Sequence, residues 1–361
     1  MTKKVALSVI LTLYVIVFLV ALENGPLVSL QSLLLGIIGM IAIVITLSSL
    51  AEKINMVDIS DGFRKKHKGR VPLIGGIALY ISIAYGAIIF GVGSFPKIIL
   101  ISLVPIMLVS IIDDIRGAPI SFRIVAQIIS SWIVILLSDV YLRDLGSIFS
   151  SDIFLLNQFG ILFTIFAVVG MTNAFNMLDG MDGILGVVSI IILLGISTLK
   201  ILSGQSFTWE FIILIGLSIF LLFNLGIFSN KYKIFLGDHG SVTIGHILSW
   251  NLVFLSQEPN NIISPASALW FVLLPLLDSL LTFYRRHSSQ KPIFFADRNH
   301  FHHWLSDRGL SSNKVLLIVS IVTLIGVGLA VIFNILNVLE TLIFYSFITV
   351  LISLIILDKH R

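Results

Sequence analysis

Two adjacent carboxylates end an apolar segment of the chain. They are Asp113 and Asp114, in the sequence Ile-Ile-Asp-Asp-Ile-Arg-Gly over residues 111–117. Adjacent carboxylates repel each other and lose hydration beside apolar surroundings, so they call for a cation, and oxygen ligands favour a divalent metal. The alternative is a pair of acids at a helix end, solvated by water. The pair is therefore a candidate metal site.

A second polar segment, residues 173–183, follows another apolar run. Its amides and acids recur every third residue, as Asn173, Asn176, Asp179 and Asp182. If the start of the segment is helical, the first three line one helix face, and the glycines after Asp179 and Asp182 let a backbone approach a ligand closely. Helix ending and capping are the alternative, although capping does not need two acids and two amides.

A third aspartate, Asp238, precedes an apolar segment in the sequence Phe-Leu-Gly-Asp-His-Gly-Ser over residues 235–241. This spacing predicts that Asp238 lies at a helix N-terminus, where free amides and glycines can hold a phosphate. An N-cap role for the side chain is the alternative reading.

Three histidines, His300, His302 and His303, follow the pair Arg285 and Arg286. Histidines so close together can bind zinc. The chain has no cysteine and the other motifs are acidic, which favours oxyanion binding or a hard-metal site instead. A surface cluster without function is the remaining alternative.

A basic run over residues 64–70, including Lys66 and Lys68, precedes Pro72 and the pair Gly75-Gly76. Any polybasic loop beside a membrane attracts anionic headgroups. Next to several carboxylates, the run also favours a negatively charged substrate.

The composition indicates which elements position these motifs. Of the 361 residues, 57% are hydrophobic and 12% are charged, whereas soluble domains have about 25% charged residues. Twelve apolar runs approach the roughly 20 residues that cross a bilayer as a helix: 5–22, 28–50, 72–92, 97–112, 122–142, 158–175, 183–202, 210–228, 241–256, 263–284, 314–335 and 338–357. We predict an all-α, polytopic transmembrane bundle of about 11–12 helices in one integral membrane domain, residues 1–361.

The distribution of basic residues predicts the orientation. With the first residue inside and a crossing at each run, all Lys and Arg residues except Lys97, Arg143 and Lys200 fall on one side, which is the cytoplasmic side by the positive-inside rule. Both termini and all the motifs above are then cytoplasmic. Residues 1–26 are expected to form an additional, uncleaved helix; a signal peptide is the alternative.

Taken in order, these motifs resemble those of the polyprenyl-phosphate N-acetylhexosamine-1-phosphate transferases. The resemblance covers about residues 36–330, followed by a C-terminal helix and short tail over 331–361, and it is closest to the branch that uses N-acetylglucosamine and undecaprenyl phosphate. The branch that uses N-acetylmuramoyl-pentapeptide has three consecutive histidines where this chain has His-x-His-His. The resemblance rests on five segments: Phe63–Lys65, Pro72–Gly76, Asn173–Gly183, Tyr232–Ser241 and His300–His303.

The resemblance implies a reaction, partners and a location. An N-acetylhexosamine 1-phosphate, first of all N-acetylglucosamine 1-phosphate, would pass from a UDP-sugar to undecaprenyl phosphate at the cytoplasmic (inner) membrane, releasing UMP and initiating a lipid-linked cell-surface glycan. Another UDP-N-acetylhexosamine is the alternative donor. The alternative functions are an ion-coupled transporter and a non-catalytic lipid-binding scaffold. The partners are both substrates and the bilayer, without nucleic acid; a homodimer stays open.

The resemblance also implies roles for residues. Magnesium, or manganese in its place, would be held by Asp113, Asp114 and Asp238. The expected catalytic residues are Asp113, Asp114, Asp179, Asp182, Asp238 and His300. The expected substrate-binding residues are Lys66, Lys68, Asn173, Asn176, Asp182, Phe235, Arg285, Arg286, His302 and His303, with Phe235 stacking on uracil and Asp182 contacting it.

Three positions need separate expectations. Gly117 stands where the related enzymes have a third aspartate, and His239 where they have a small residue, which is expected to alter the pocket beside the metal. Asp278 lies inside an apolar run, and we predict that it is a buried structural partner of an arginine such as Arg285. An acid at this depth would otherwise mark an ion path.

Overall fold

The structure, a computed structural model, describes residues 30–51, 53, 56–59, 70–227, 230–292 and 300–359. The predicted first helix over 5–22, the basic residues Lys66 and Lys68, and the segment Phe63–Lys65 lie outside these residues.

The described chain is helical, with one small sheet. Its elements are α1 (Leu30–Ala51), β1 (Val57–Ile59), β2 (Arg70–Pro72), α2 (Gly75–Phe90), α3 (Ser94–Arg116), α4 (Ile120–Ser138), α5 (Gly160–Leu178), α6 (Ile184–Leu202), α7 (Thr208–Asn224), α8 (Asp238–Ser256), α9 (Pro265–Phe271), α10 (Leu273–Ser288), α11 (Phe301–Asp307), α12 (Ser312–Ile335) and α13 (Glu340–Lys359).

The predicted class, a polytopic helical membrane protein, is confirmed. Among the described helices, seven are long and apolar enough to cross a bilayer, namely α1, α3, α4, α5, α6, α12 and α13. The pair α9 and α10, bent by 82° at its junction, counts as an eighth if the two helices are taken as one broken span. Two further predicted spans correspond to α2 and α7, which are apolar but shorter: their 16 and 17 residues extend about 24–26 Å. The remaining predicted span, over 241–256, is α8, which carries polar residues along its length.

The core of the bundle surrounds α6, α7 and α8. Within the most apolar window of each helix, 83% of α6 is buried, against 11% of α13, so α6 is central and α13 peripheral. Helix α8 packs against α2, α3 and α5, and α6 packs against α7 and α12. The outer faces of the peripheral helices expose leucine, isoleucine and phenylalanine, as a lipid-facing surface requires.

A two-stranded sheet, which the sequence analysis did not predict, positions the segment before α8. Strands β1 and β2 pair antiparallel, with Val57 opposite Pro72, and the chain after β2 continues as a parallel bridge to Phe235. The Phe235 amide donates to Pro72 O, and the Gly75 and Gly76 amides donate to the carbonyls of residues 235 and 236, each at 2.9 Å. The start of α2 is thereby fixed to the start of α8.

Glycine is required at the contact between these two helices. A Cβ atom built on Gly76 would lie 2.3 Å from the Cα of Gly240 and 2.6 Å from the ring of His239. Only a residue without a side chain lets the two backbones approach this closely. The sequence feature Gly75-Gly76 is therefore a packing requirement of the site.

Candidate active site

The acidic ends of α3 and α8 meet around one arginine. Arg123 Nη1, from the first turn of α4, lies 3.0 Å from Asp113 Oδ2 and 3.0 Å from Asp238 Oδ2. Asp113 also accepts a hydrogen bond from the Ala118 amide at 2.6 Å. A cation between two carboxylates offsets their repulsion and sets their separation, so Arg123 joins two helix ends that are far apart in the sequence.

Asp114 is held by the N-terminus of α8. The amides of Asp238 and His239 point to its two oxygens at 3.3 and 3.5 Å, and His239 Nδ1 lies 2.5 Å from Oδ2. An ionised carboxylate only accepts hydrogen bonds, so Nδ1 donates. We expected these helix-terminal amides to face a phosphate; they face Asp114 instead, because a carboxylate is an equally suitable anion for a helix N-terminus.

The structure gives His239 and Gly237 definite roles. The His239 side chain is fully buried, and it fills the space where a smaller residue would leave Asp114 without this donor. Gly237, with φ of 76°, is the N-cap residue of α8, and Asp238 is the first residue of the helix. The capping alternative for Asp238 is therefore wrong, and its carboxylate pairs with Arg123.

The two asparagines of segment 173–183 contact different helices. Asn173 Nδ2 donates to Gln127 Oε1 on α4 at 2.6 Å, whereas Asn176 Oδ1 accepts from Ser241 Oγ on α8 at 2.6 Å. Asn176 therefore lies beside the first turn of α8, as expected for a site residue. Asn173 joins α5 to α4.

The acids of the same segment lie among other carboxylates. Burial raises the pKa of Asp179 to about 8, with further contributions from the negative charges of Asp238, Asp182 and Asp114. Asp182 forms an ion pair with Lys233, and Lys233 Nζ lies 5.1 Å from the centre of the Phe235 ring. The predicted catalytic aspartates of α3, α5 and α8 thus act on one another electrostatically at the same end of the bundle.

The histidine segment joins this group through His302. A Cβ atom built on Gly180 would lie 2.1 Å from His302 Nε2, so His302 packs directly on the backbone between Asp179 and Asp182. The rings of His302 and His300 stack, with centroids 5.8 Å apart and planes 4° from parallel. The His303 ring lies beside them, with its centroid 4.2 Å from that of the His302 ring. All three histidines therefore border the aspartate cluster.

The expected pairing of Asp278 with Arg285 is wrong. Asp278 Oδ2 lies 2.9 Å from His300 Nδ1 and Oδ1 accepts from the Phe301 amide at 2.7 Å. Arg285, seven residues further along α10, faces α13 and forms a two-pronged hydrogen bond with Asp358 at 2.8 Å. Both side chains have alternative partners on neighbouring helices. Arg286 is buried.

The residues at this end fit a hard divalent cation. No group of three His, Asp or Glu side chains within the described ranges is arranged as a ready-made metal cluster. Mg²⁺, however, needs only one or two carboxylates, with water and substrate phosphates completing its shell. Burial raises the pKa of Asp179, and the neighbouring carboxylates raise it further. These carboxylates would provide the oxygen ligands and the negative charge that such an ion neutralises.

Sequence reasoning missed several residues of the site. It counted Arg123 and Lys233 only as basic residues that mark one face, and it did not assign His239 or Asp278 to the site. The sequence could have indicated Arg123, because an arginine nine residues after an acidic pair can contact that pair across the turn between two helices. The partners of Asp278 and Lys233 depend on tertiary packing and leave no comparable signal.

Comparisons with known proteins match the chain to one family. Residues 96–256 match the model described as glycosyl transferase family 4. The chain is 32% identical over 287 residues to the undecaprenyl-phosphate alpha-N-acetylglucosaminyl 1-phosphate transferase of Salmonella typhi, covering 78% of this chain and 77% of that protein. It is 31% identical over 320 residues to the protein of the same name from Haemophilus influenzae, covering 88% and 90% of the two chains.

Proposed function

The chain belongs to glycosyl transferase family 4, and on that premise we propose that it transfers N-acetylglucosamine 1-phosphate from UDP-N-acetylglucosamine to undecaprenyl phosphate. UMP is the second product. The lipid-linked sugar formed in this way starts a cell-surface glycan. The names of the relatives support the sugar and the lipid acceptor; the uridine nucleotide is part of the proposal.

One observation carries the proposal. Asp114 and the start of α8 lie 124 residues apart in the sequence, yet they meet at one end of the bundle with Arg123 between Asp113 and Asp238. A transporter would place its acids near mid-membrane around a cavity. Here the aspartates lie at helix ends, where a water-soluble nucleotide sugar and the headgroup of a lipid phosphate can both reach them.

The reaction is a phosphoryl transfer between two anions. An oxygen of undecaprenyl phosphate forms a bond to the β-phosphorus of the UDP-sugar, and the bond from that phosphorus to the bridging oxygen breaks, so that UMP leaves with the electron pair. Positioning and charge compensation supply most of the rate in such reactions. When bound, Mg²⁺, or Mn²⁺ in its place, offsets the negative charge of the phosphates.

The residues of this chain divide that work. Asp113, Asp114 and Asp238 would hold the ion, since their carboxylates meet at the ends of α3 and α8. Arg123 keeps two of them in register, and the α8 amides orient the third.

The nucleoside would lie on the neighbouring surface. Phe235 offers a half-buried aromatic face beside Lys233 and Asp182, which is the combination expected for stacking and hydrogen bonding to uracil. His300, His302 and His303 border the same cluster and are suited to the phosphates. The positive-inside pattern supports a cytoplasmic position for this end, where nucleotide sugars are made.

Turnover by the purified protein tests the proposal. The full chain in detergent or lipid nanodiscs is incubated with Mg²⁺, undecaprenyl phosphate and UDP-N-acetylglucosamine, and UMP release is measured. UDP-N-acetylgalactosamine and UDP-glucose are run in parallel, and EDTA should abolish the signal. Release with UDP-N-acetylgalactosamine alone would correct the sugar, whereas no release with any UDP-sugar would refute the enzymatic function.

A further inference from the structure

Asp278 is a buried carboxylate that the reaction described above does not use. It lies on α10, its residue is 5% exposed, and both of its oxygens are engaged. Oδ2 lies 2.9 Å from His300 Nδ1, and Oδ1 accepts from the Phe301 amide at 2.7 Å. Thr282, one turn later, has its hydroxyl 3.5 Å from the same His300 nitrogen. Of these two contacts to His300 Nδ1, the one from Asp278 is the shorter, and it involves a charged group.

This contact determines which nitrogen of His300 carries hydrogen. A neutral imidazole has one N–H group, and an ionised carboxylate can only accept. The hydrogen therefore resides on Nδ1, and Nε2 is the acceptor nitrogen of the ring. In metal sites and in catalytic triads, a carboxylate behind a histidine fixes the ring and its tautomer in the same way.

The His300 ring also contacts the histidines that border the aspartate cluster. Its ring stacks on His302, which packs on Gly180, between Asp179 and Asp182. His300 is itself buried, with 6% of its surface exposed. Its ring is thus held from one side by α10 and stacks on the other histidines beside the aspartate cluster.

We propose that Asp278 is a positioning residue, which acts through His300 by holding Nδ1–H and leaving Nε2 to meet the phosphates of the substrates. This inference rests on the proposed function. Asp278 itself would not touch either substrate. Its second contact, to the Phe301 amide, fixes the start of α11 and so keeps the histidine segment against α10.

Replacement by asparagine separates the two contacts. In Asp278→Asn, the amide oxygen can still accept from the Phe301 amide, but the NH₂ group then faces His300 Nδ1. That nitrogen must accept, so the ring hydrogen moves to Nε2 and the tautomer is inverted. Asp278→Glu retains a carboxylate and serves as the conservative variant. Thr282→Val is the matched control, because it removes the neighbouring hydroxyl and leaves Asp278 in place.

The test compares these variants with His300→Gln and with the double variant Asp278→Asn/His300→Gln, using UMP release and the midpoint of thermal unfolding. We expect Asp278→Asn to lower kcat about 10²-fold, as for loss of an oriented acid–base group. KM for both substrates and the unfolding midpoint should change little. The double variant should be no slower than His300→Gln, because residues that act as one unit are not additive. Asp278→Glu should retain more activity than Asp278→Asn, and Thr282→Val should resemble the wild type.

Several outcomes would overturn the proposal. An Asp278→Asn variant with more than half of the wild-type kcat would do so, as would a double variant whose loss is the product of the two single losses. If Asp278→Asn and Asp278→Glu both fail to fold, the role of Asp278 is structural and the proposal is wrong. Failure of the wild type to release UMP would instead refute the proposed function, and this positioning role with it.

Discussion

The two ends of the helical bundle differ in how the charges of their acids are compensated. At the end formed by Asp113, Asp114, Asp179, Asp182 and Asp238, which we call the acidic end, five carboxylates lie close together and share the partners Arg123, Lys233 and His239. At the other end, around the α6–α7 turn and the loop that precedes α5, Glu210 and Asp139 each pair with one base.

The opposite end contains two acid–base pairs. Lys200 Nζ donates to both oxygens of Glu210, at 3.1 and 2.9 Å, and both residues are buried. Arg143 pairs with Asp139 at 2.8 Å. Gln257 accepts from the Arg143 amide at 2.7 Å. These contacts hold loops to one another.

At the acidic end, in contrast, mutual repulsion persists in the folded protein. The neighbouring charges of Asp238, Asp182 and Asp114 contribute, after burial, to the raised pKa of Asp179. Such an arrangement costs stability and is retained where charge is needed for binding or chemistry. We therefore propose that the acidic end serves function and the opposite end serves folding, so that mutation of each end changes a different property.

The largest effect is expected for the aspartates of the acidic end. Asp114→Asn and Asp238→Asn each remove a charge that we propose holds the cation, while keeping the size of the side chain. We expect UMP release to fall about 10³-fold or more, with the protein still folded. Turnover and thermal unfolding in detergent measure the two properties.

Asp139→Asn is the control from the opposite end, where activity should be unchanged. Activity of Asp238→Asn above a tenth of the wild-type value would mean that the acidic end does not hold the catalytic ion.

Lys200→Met should lower stability and leave activity unchanged, which is the reverse of the effect expected for Asp114→Asn and Asp238→Asn. It leaves Glu210, which is 1% exposed, as an unpaired buried charge, which typically costs about 3–5 kcal/mol. The unfolding midpoint should fall sharply, while kcat of the protein that remains folded stays within about two-fold of the wild type.

The double variant Lys200→Met/Glu210→Leu removes both charges. It should regain most of the lost stability, because an apolar pair can replace a buried ion pair. If kcat fell along with stability in these variants, the two ends would not be functionally separate.

Arginine replacements at the two ends give a matched comparison. Arg123→Gln removes the cation between Asp113 and Asp238, so the two carboxylates separate. We expect kcat to fall about 10²-fold, since a small misplacement of catalytic groups has this cost. Arg143→Gln removes an arginine from the partly exposed pair with Asp139 and should leave kcat unchanged. Equal effects of the two variants would contradict the assignment of Arg123 to the site.

The sequence predicted the features that depend on local pattern. Apolar runs of bilayer length indicated the helices, and the acids at their ends indicated the site, because both properties are read along the chain. It did not predict contacts set by packing. Arg123 and Asp238 are 115 residues apart, and β1 and β2 have only three residues each, too few for a periodic signal.

Asp278 illustrates the same limit. Arg285 lies seven residues later on the same helix, so proximity in sequence favoured that pair. Tertiary packing sets the partners instead: Asp278 meets His300, and Arg285 meets Asp358.

The smallest effect concerns pH and stability without metal. Because the pKa of Asp179 is raised in the folded protein, to about 8 from an ordinary value of 3.8, folding takes up a proton at this residue. The stabilisation of the folded state by the protonated group is fully present below about pH 4 and is lost as pH rises towards 8. In EDTA, the unfolding midpoint of the wild type should therefore fall, relative to Asp179→Asn, as pH is raised from 5 to 8. Asp139→Asn shows whether loss of any carboxylate gives this change. If the difference in unfolding midpoint between the wild type and Asp179→Asn stayed constant with pH, the aspartates of the acidic end would not repel one another. The contrast between the two ends would then be lost.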